Sequence, residues 1–294
     1  MLNMPTIFTD VNKVSKAPDK RPVVRIGVFI PTDAQVLDTA GVDIFGSMSY
    51  EYLSLLVHMV PQVVVDSAPS VQILYVGSVA AGERIPLTSN QYVVASHHYG
   101  DPDVAPGKLD VEPLTVTVIY VPGTDPDTTF PEGASKWLAR QGATEGVDIL
   151  SVCTGIFACG AAGLLKGKNI CGPRSMQDRI KEKNFGQKAL RGSELRWIQD
   201  GNFWSCGELS LTIYSFYDGS EVRALMSDAI GAVTSGNELV AAYCRAHSEL
   251  WPRPLVELVC EELEVGDKPQ EYSTKLGMEK YVGELMAAAG QVSV

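Results

Sequence analysis

The chain has 294 residues, 45% hydrophobic and 20% charged, which is ordinary globular composition and enough length to bury a core without disulfide or metal staples. Its net charge of -11 argues against nucleic acid or an anionic membrane surface as a partner, and no apolar run is long enough for a membrane span. Six scattered cysteines without CxxC spacing, and four histidines without a paired motif, argue against a metal site.

Residues 1–20 mix Thr, Asp, Asn, Lys and Pro, lack the basic flank and apolar core of a signal peptide, and read as a flexible arm. A cytoplasmic location with reduced thiols is the matching expectation. Val23 to Ile30 is a β-branched run ending at Pro31, the pattern of a buried parallel strand. Ile44, Phe45, Met48, Tyr52 and Leu55 recur at helical spacing and predict one helix over 42–57. Val71 to Val76 predicts a second strand, and Pro86 to Val94 short extended pieces forming a hairpin. His97-His98 is expected in a solvated loop, with an approach to the site as the alternative. Thr115 to Val121 is a further strand, stopped by Pro122-Gly123, and Ala134 to Arg140 returns to helical pattern. The strand Val147 to Val152 leads into a Gly- and Ala-rich helix from Thr154 to Leu165, suited to close packing on a sheet. A late helix is expected over 238–250. Strands alternating with helices predict a doubly wound, mostly parallel sheet, with residues 21–294 as one domain.

In such sheets ligands sit at the carboxyl ends of the strands, where Cys153 lies between a strand and a helix. Ser151-Val152-Cys153-Thr154-Gly155 has the layout of a nucleophile elbow, a sharp turn that presents a reactive side chain beside helix N–H groups. A buried structural cysteine fits the same position. The residues alone leave both readings open. Cys159, six residues on, belongs to another face of the helix and to the core. Trp197, Trp204 and Trp251 read as packing residues, and His58 and His247 as structural.

Those five residues, followed by Ala161-Ala162-Gly163-Leu164-Leu165-Lys166-Gly167-Lys168, resemble the signature of the ThiJ/PfpI superfamily. Val36 to Gly41, Val121-Pro122-Gly123, Asp200 to Trp204 and Glu264 to Tyr272 extend the resemblance over most of the chain. It implies a flavodoxin-like three-layer α/β/α sandwich with helices on both faces, and Cys153 as the nucleophile. Relatives that resemble proteases carry His after the cysteine, whereas Thr154 stands here. Chaperone-like and glyoxalase-like members place Glu on the first helix, whereas here the matching residue is Asp38. Asp38, Cys153 and Thr154 together resemble the isocyanide hydratase-like branch, in which a cysteine adds to an isonitrile and water releases an N-formamide. Asp38 would then move the proton, kept protonated by burial beside a thiolate; a helix N-cap is the other role open to it. Gly123, Thr124 and Gly155 are the expected substrate- or oxyanion-binding positions. The resemblance further implies no metal or organic cofactor, a small-molecule substrate and a symmetric homodimer. A glyoxalase- or deglycase-like activity on α-oxoaldehydes, and a non-catalytic redox-sensing role for an oxidisable Cys153, are the rival readings.

Three departures stand out. Position 173 is Pro where relatives place His, Thr124 replaces the second glycine of a Pro-Gly-Gly loop, and Gly41-Val42 replaces Gly-Pro. An apparent insertion at 207–230 separates Trp204-Ser205-Cys206 from Gly231-Ala232-Val233-Thr234, as a lid, a dimer element or an inert hairpin. A smaller insertion is expected near 113–117.

Overall fold

The computed structural model describes residues 21–109, 115–207, 214–215, 224–225 and 235–272. In chain order the strands are β1 (Val23–Ile30), β2 (Ser70–Gly77), β3 (Arg84–Leu87), β4 (Gln91–Val94), β5 (His97–His98), β6 (Thr115–Val121) and β7 (Val147–Val152). They continue as β8 (Asn169–Ile170), β9 (Ala189–Leu190), β10 (Trp197–Asp200), β11 (Phe203–Cys206), β12 (Tyr214–Ser215) and β13 (Ala224–Leu225). The α-helices are α1 (Ala40–Ser47), α2 (Tyr50–Leu55), α3 (Gln62–Ser67), α4 (Glu132–Gly142), α5 (Gly155–Ala161), α6 (Gln177–Lys183), α7 (Ser235–Ala246) and α8 (Arg253–Glu262).

A seven-stranded sheet runs β10-β11-β7-β6-β1-β2-β5, parallel throughout except for the edge strand β10. The central strands are apolar on both sides because helices cover both faces. On one face Phe45 of α1, Tyr243 of α7 and Val256 of α8 pack on Val24, Ile26 and Leu150. On the other, Trp137 of α4, Phe157 of α5 and Ile180 of α6 pack on Phe29, Ile119 and Ile149. Trp137 stacks on Phe29 at 4.9 Å while its indole N–H donates to the Val104 carbonyl at 2.8 Å, so a large ring is buried without an orphaned donor. The doubly wound α/β/α architecture expected from the sequence is present.

Several local expectations are corrected. The single helix over 42–57 is two helices, because Ser49 adopts an extended backbone and its Oγ accepts the Tyr52 N–H at 3.0 Å, capping α2. His97-His98 is an edge strand paired with Val76-Gly77 rather than a loop. Pro86 to Val94 belongs to the expected hairpin, β3 with β4, turned through left-handed Ser89 and Asn90. Helices α3, α6 and α8 were not expected. The arm at 1–20 lies outside the described residues. So does most of the insertion at 207–230, of which Gly207 and the antiparallel pair β12–β13 are described. The expected insertion near 113–117 is described only from Thr115 onward, within β6.

At the amino-terminal end of β7, Asp148 accepts the Tyr243 hydroxyl at 2.8 Å and lies 3.5 Å from His247 Nε2. It lines an open cleft of about 510 Å³ with Val116, Gly142, Asn202 and His247. Desolvation raises the Asp148 pKa, opposed by the Tyr243 hydrogen bond and by His247. A raised carboxyl pKa means the folded state holds the proton more tightly than the unfolded one, so stability falls as pH rises above the unfolded value of about 4. Asp148→Asn keeps an acceptor for Tyr243 but has no charge to desolvate. Its urea midpoint is expected to match the wild type near pH 4 and to exceed it progressively toward pH 7. A gap that narrows over that range contradicts the assignment.

Candidate active site

The site is built where β7 stops. Side chains along β7 alternate between the two cores, with Ile149 in one and Leu150 and Val152 in the other. Cys153 then takes a left-handed backbone with φ +55°, a conformation that costs a non-glycine residue about 1–3 kcal/mol and persists only when its surroundings enforce it. Two features do so here. The Cys153 N–H donates to the Cys206 carbonyl at 3.3 Å, extending the β7–β11 ladder by one bond past the strand. Gly155 sits so close to the end of β6 that a Cβ would overlap the Val121 carbonyl oxygen and come within 2.8 Å of that of Pro122. The expected elbow is therefore formed, with α5 starting immediately after it.

Thr154 does not cap α5 through its side chain. Its hydroxyl donates instead to the Thr124 carbonyl at 2.6 Å, tying the elbow to the loop after β6. That loop is also tied to the segment carrying Asp38. The Gln35 N–H donates to the Gly123 carbonyl at 2.8 Å, and the Tyr120 hydroxyl donates to the Asp38 carbonyl at 2.7 Å. Asp38 lies in a short 3-10 turn, Val36–Thr39, ahead of α1. The N-cap of α1 is Thr39, so Asp38 is not the capping residue of that helix.

Asp38 and Thr154 converge on Gly123. A Cβ at Gly123 would overlap Asp38 Oδ2 and fall 2.8 Å from Thr154 Oγ1, so the glycine is required by space rather than by backbone angle. Thr124 is not among the residues with positive φ, which explains why threonine is tolerated in place of a second glycine. Its hydroxyl turns away to donate to Asp33 Oδ1 at 3.2 Å. All six expected positions, Cys153, Asp38, Thr154, Gly123, Thr124 and Gly155, thus gather at the carboxyl ends of β6 and β7. Cys153 is 0% and Asp38 1% exposed, so both side chains are buried.

His97 and His98 do not reach it. They lie four strands from β7, about 19 Å across the sheet at the usual strand spacing of about 4.8 Å. His98 is engaged locally, its Nδ1 accepting the Gly100 N–H at 3.0 Å. Among the described residues no group of three or more His, Cys, Asp and Glu side chains is placed to hold a metal ion. Two positioning residues were missed from sequence. Tyr120 was read only as part of an apolar strand, although a hydroxyl in that run signals a buried hydrogen bond. Gln35 carried no side-chain signal, since it acts through its backbone.

Gly155→Ala is expected to cost about 1–3 kcal/mol, because the clash is with backbone carbonyls that cannot swing aside. Urea denaturation checks this, and an unchanged midpoint would mean the elbow is not pressed against β6.

No family model matches the chain, and no curated protein matches its sequence. Solved structures do match its fold. A ThiJ/PfpI family protein from Pseudomonas syringae aligns with a TM-score of 0.55 at 19% identity, over 97% of this chain and 93% of that one. DJ-1 from Schizosaccharomyces pombe aligns with a TM-score of 0.50 at 13% identity, over 83% of this chain and 100% of that one. An AraC family transcriptional regulator from Pseudomonas putida aligns with a TM-score of 0.51 at 14% identity, over 82% of this chain and 100% of that one. Among the described residues no helix is long and apolar enough to cross a membrane. With its mostly parallel seven-stranded sheet covered by helices on both faces, the chain has the fold of the ThiJ/PfpI and DJ-1 proteins.

Proposed function

We propose that the chain is a cysteine-dependent enzyme that adds water to an isonitrile or a similarly small electrophile, with Cys153 as nucleophile and Asp38 as proton carrier. The observation that carries this reading is the convergence of the buried Asp38 carboxyl and the Thr154 hydroxyl on Gly123, beside the left-handed Cys153. In the first step the Cys153 thiolate attacks the terminal isonitrile carbon, forming a C–S bond. The same carbon takes a proton from Asp38, which gives a thioimidate. Water then adds across the C=N bond, its oxygen to carbon and one proton to nitrogen. Collapse of this adduct breaks the C–S bond, returns the hydroxyl proton to Asp38 and releases the N-formamide and the thiolate. Thr154, held by the Thr124 carbonyl, keeps the turn and Asp38 in register.

The burial of Cys153 and Asp38 favours a slim, weakly hydrated electrophile, because a bulky or strongly hydrated one brings a larger desolvation cost. An isonitrile presents its reactive carbon at an unsubstituted tip. The homodimer expected from the resemblance belongs to the same proposal.

Incubation of the purified protein with an aromatic isonitrile, followed by loss of the N≡C infrared band and appearance of the formamide proton in NMR, is the test. Turnover is expected in the wild type, none in Cys153→Ala, and a kcat lower by about 10²–10⁴ in Asp38→Asn. Equal turnover by Cys153→Ala, or none by the wild type, overturns the proposal.

A further inference from the structure

We infer that Cys206 is the resolving partner of Cys153, so that oxidation of the nucleophile by a hydroperoxide is captured as a reversible Cys153–Cys206 disulfide. Cys206 ends β11 and pairs with Val152, the residue before the nucleophile, in parallel register. With a strand spacing of about 4.8 Å and a rise of about 3.3 Å per residue, the two cysteine Cα atoms lie about 6 Å apart. That is within the span a disulfide needs. The backbone hydrogen bond from Cys153 N–H to the Cys206 carbonyl, at 3.3 Å, fixes this neighbourhood.

Facing matters as much as distance. Paired residues in a parallel sheet point to the same side, so Cys206 faces the core that Val152 faces. Strand alternation would send Cys153 to the opposite core, but the left-handed turn brings it into the cluster that holds both Val152 and Cys206. The conformation that makes the elbow therefore also turns the nucleophile toward the side that Cys206 occupies.

Cys159 belongs to the opposite core, and Cys159, Cys171, Cys244 and Cys260 all lie off the strands β6, β7 and β11 that meet at the elbow. Burial pushes the thiols of Cys159 and Cys171 up to about 12, and raises those of Cys244 and Cys260 as well. At neutral pH these remain thiols, which attack peroxide slowly.

The steps balance with a hydroperoxide as oxidant. Cys153 thiolate attacks the distal peroxide oxygen, the O–O bond breaks, and hydroxide or alkoxide leaves with Cys153 as sulfenic acid. The Cys206 sulfur then attacks the Cys153 sulfur, the S–O bond breaks and water leaves with the Cys206 proton. A dithiol restores both thiols by exchange. The inference rests on the same reactive Cys153 as the proposed hydration, but not on any isonitrile, so the two can fail separately.

The test treats the full chain with hydrogen peroxide, blocks remaining thiols by alkylation, and maps the digest by mass spectrometry. The wild type is expected to lose two hydrogens and yield a cross-linked Cys153–Cys206 peptide that dithiothreitol cleaves. Cys206→Ser is expected to gain two oxygens at Cys153, a sulfinate that dithiothreitol does not reverse. Sulfinate at Cys153 accumulating equally in wild type and Cys206→Ser overturns the inference. So does a wild-type digest that bridges any other pair, a readout independent of how well the variant folds.

Discussion

The left-handed turn at Cys153 is the constraint on which the site depends. It is unfavourable for any residue with a Cβ, and it is enforced by contacts from both neighbouring strands. β11 holds the Cys153 N–H, and β6 leaves no room for a side chain at Gly155. The central sheet therefore stores local strain at one point and supports it with the packing of two hydrophobic cores. Relaxing that turn would return Cys153 to ordinary strand alternation and turn its side chain toward the other core.

The second requirement is burial. Asp38 and Cys153 are buried where an ionisable group is expensive to hold, yet the surrounding backbone is arranged around them rather than away from them. Tyr120 and Gln35 fix the 3-10 turn that carries Asp38, and Thr154 fixes the loop that carries Gly123. Each of these bonds joins a different pair of elements, so the cluster forms only when the sheet is assembled. The open cleft by Asp148 lies at the other end of β7, about 17 Å from Cys153 along the strand.

Much of this was legible in the sequence, for identifiable reasons. β1, β6 and β7 are mostly apolar runs rich in β-branched residues with Pro or a turn at the end, and their observed limits match the residues that carry that pattern. The elbow was legible because a small-residue helix follows a buried strand directly. The break before α2 was not, because the apolar spacing continues across Ser49 while the break comes from one side-chain cap. Nor was the pairing of His97-His98 with β2, since two-residue edge strands carry no periodicity. The helix N-cap role open to Asp38 in the sequence belongs instead to Thr39, because Asp38 lies within a 3-10 turn that no periodicity marks. Cys206 drew no attention, because its nearness to Cys153 is created by strand order, which a linear reading does not contain.

The most direct test is the rate of alkylation of Cys153 by iodoacetamide as a function of pH, followed by intact mass and peptide mapping, in the wild type and in Asp38→Asn. A nucleophile coupled to Asp38 predicts that Cys153 reacts first among the six cysteines at neutral pH, and that its pH profile is displaced in the variant. If Cys153 reacts no faster than Cys159 or Cys171, with the same profile in both proteins, it is a structural cysteine and the account of the site is wrong.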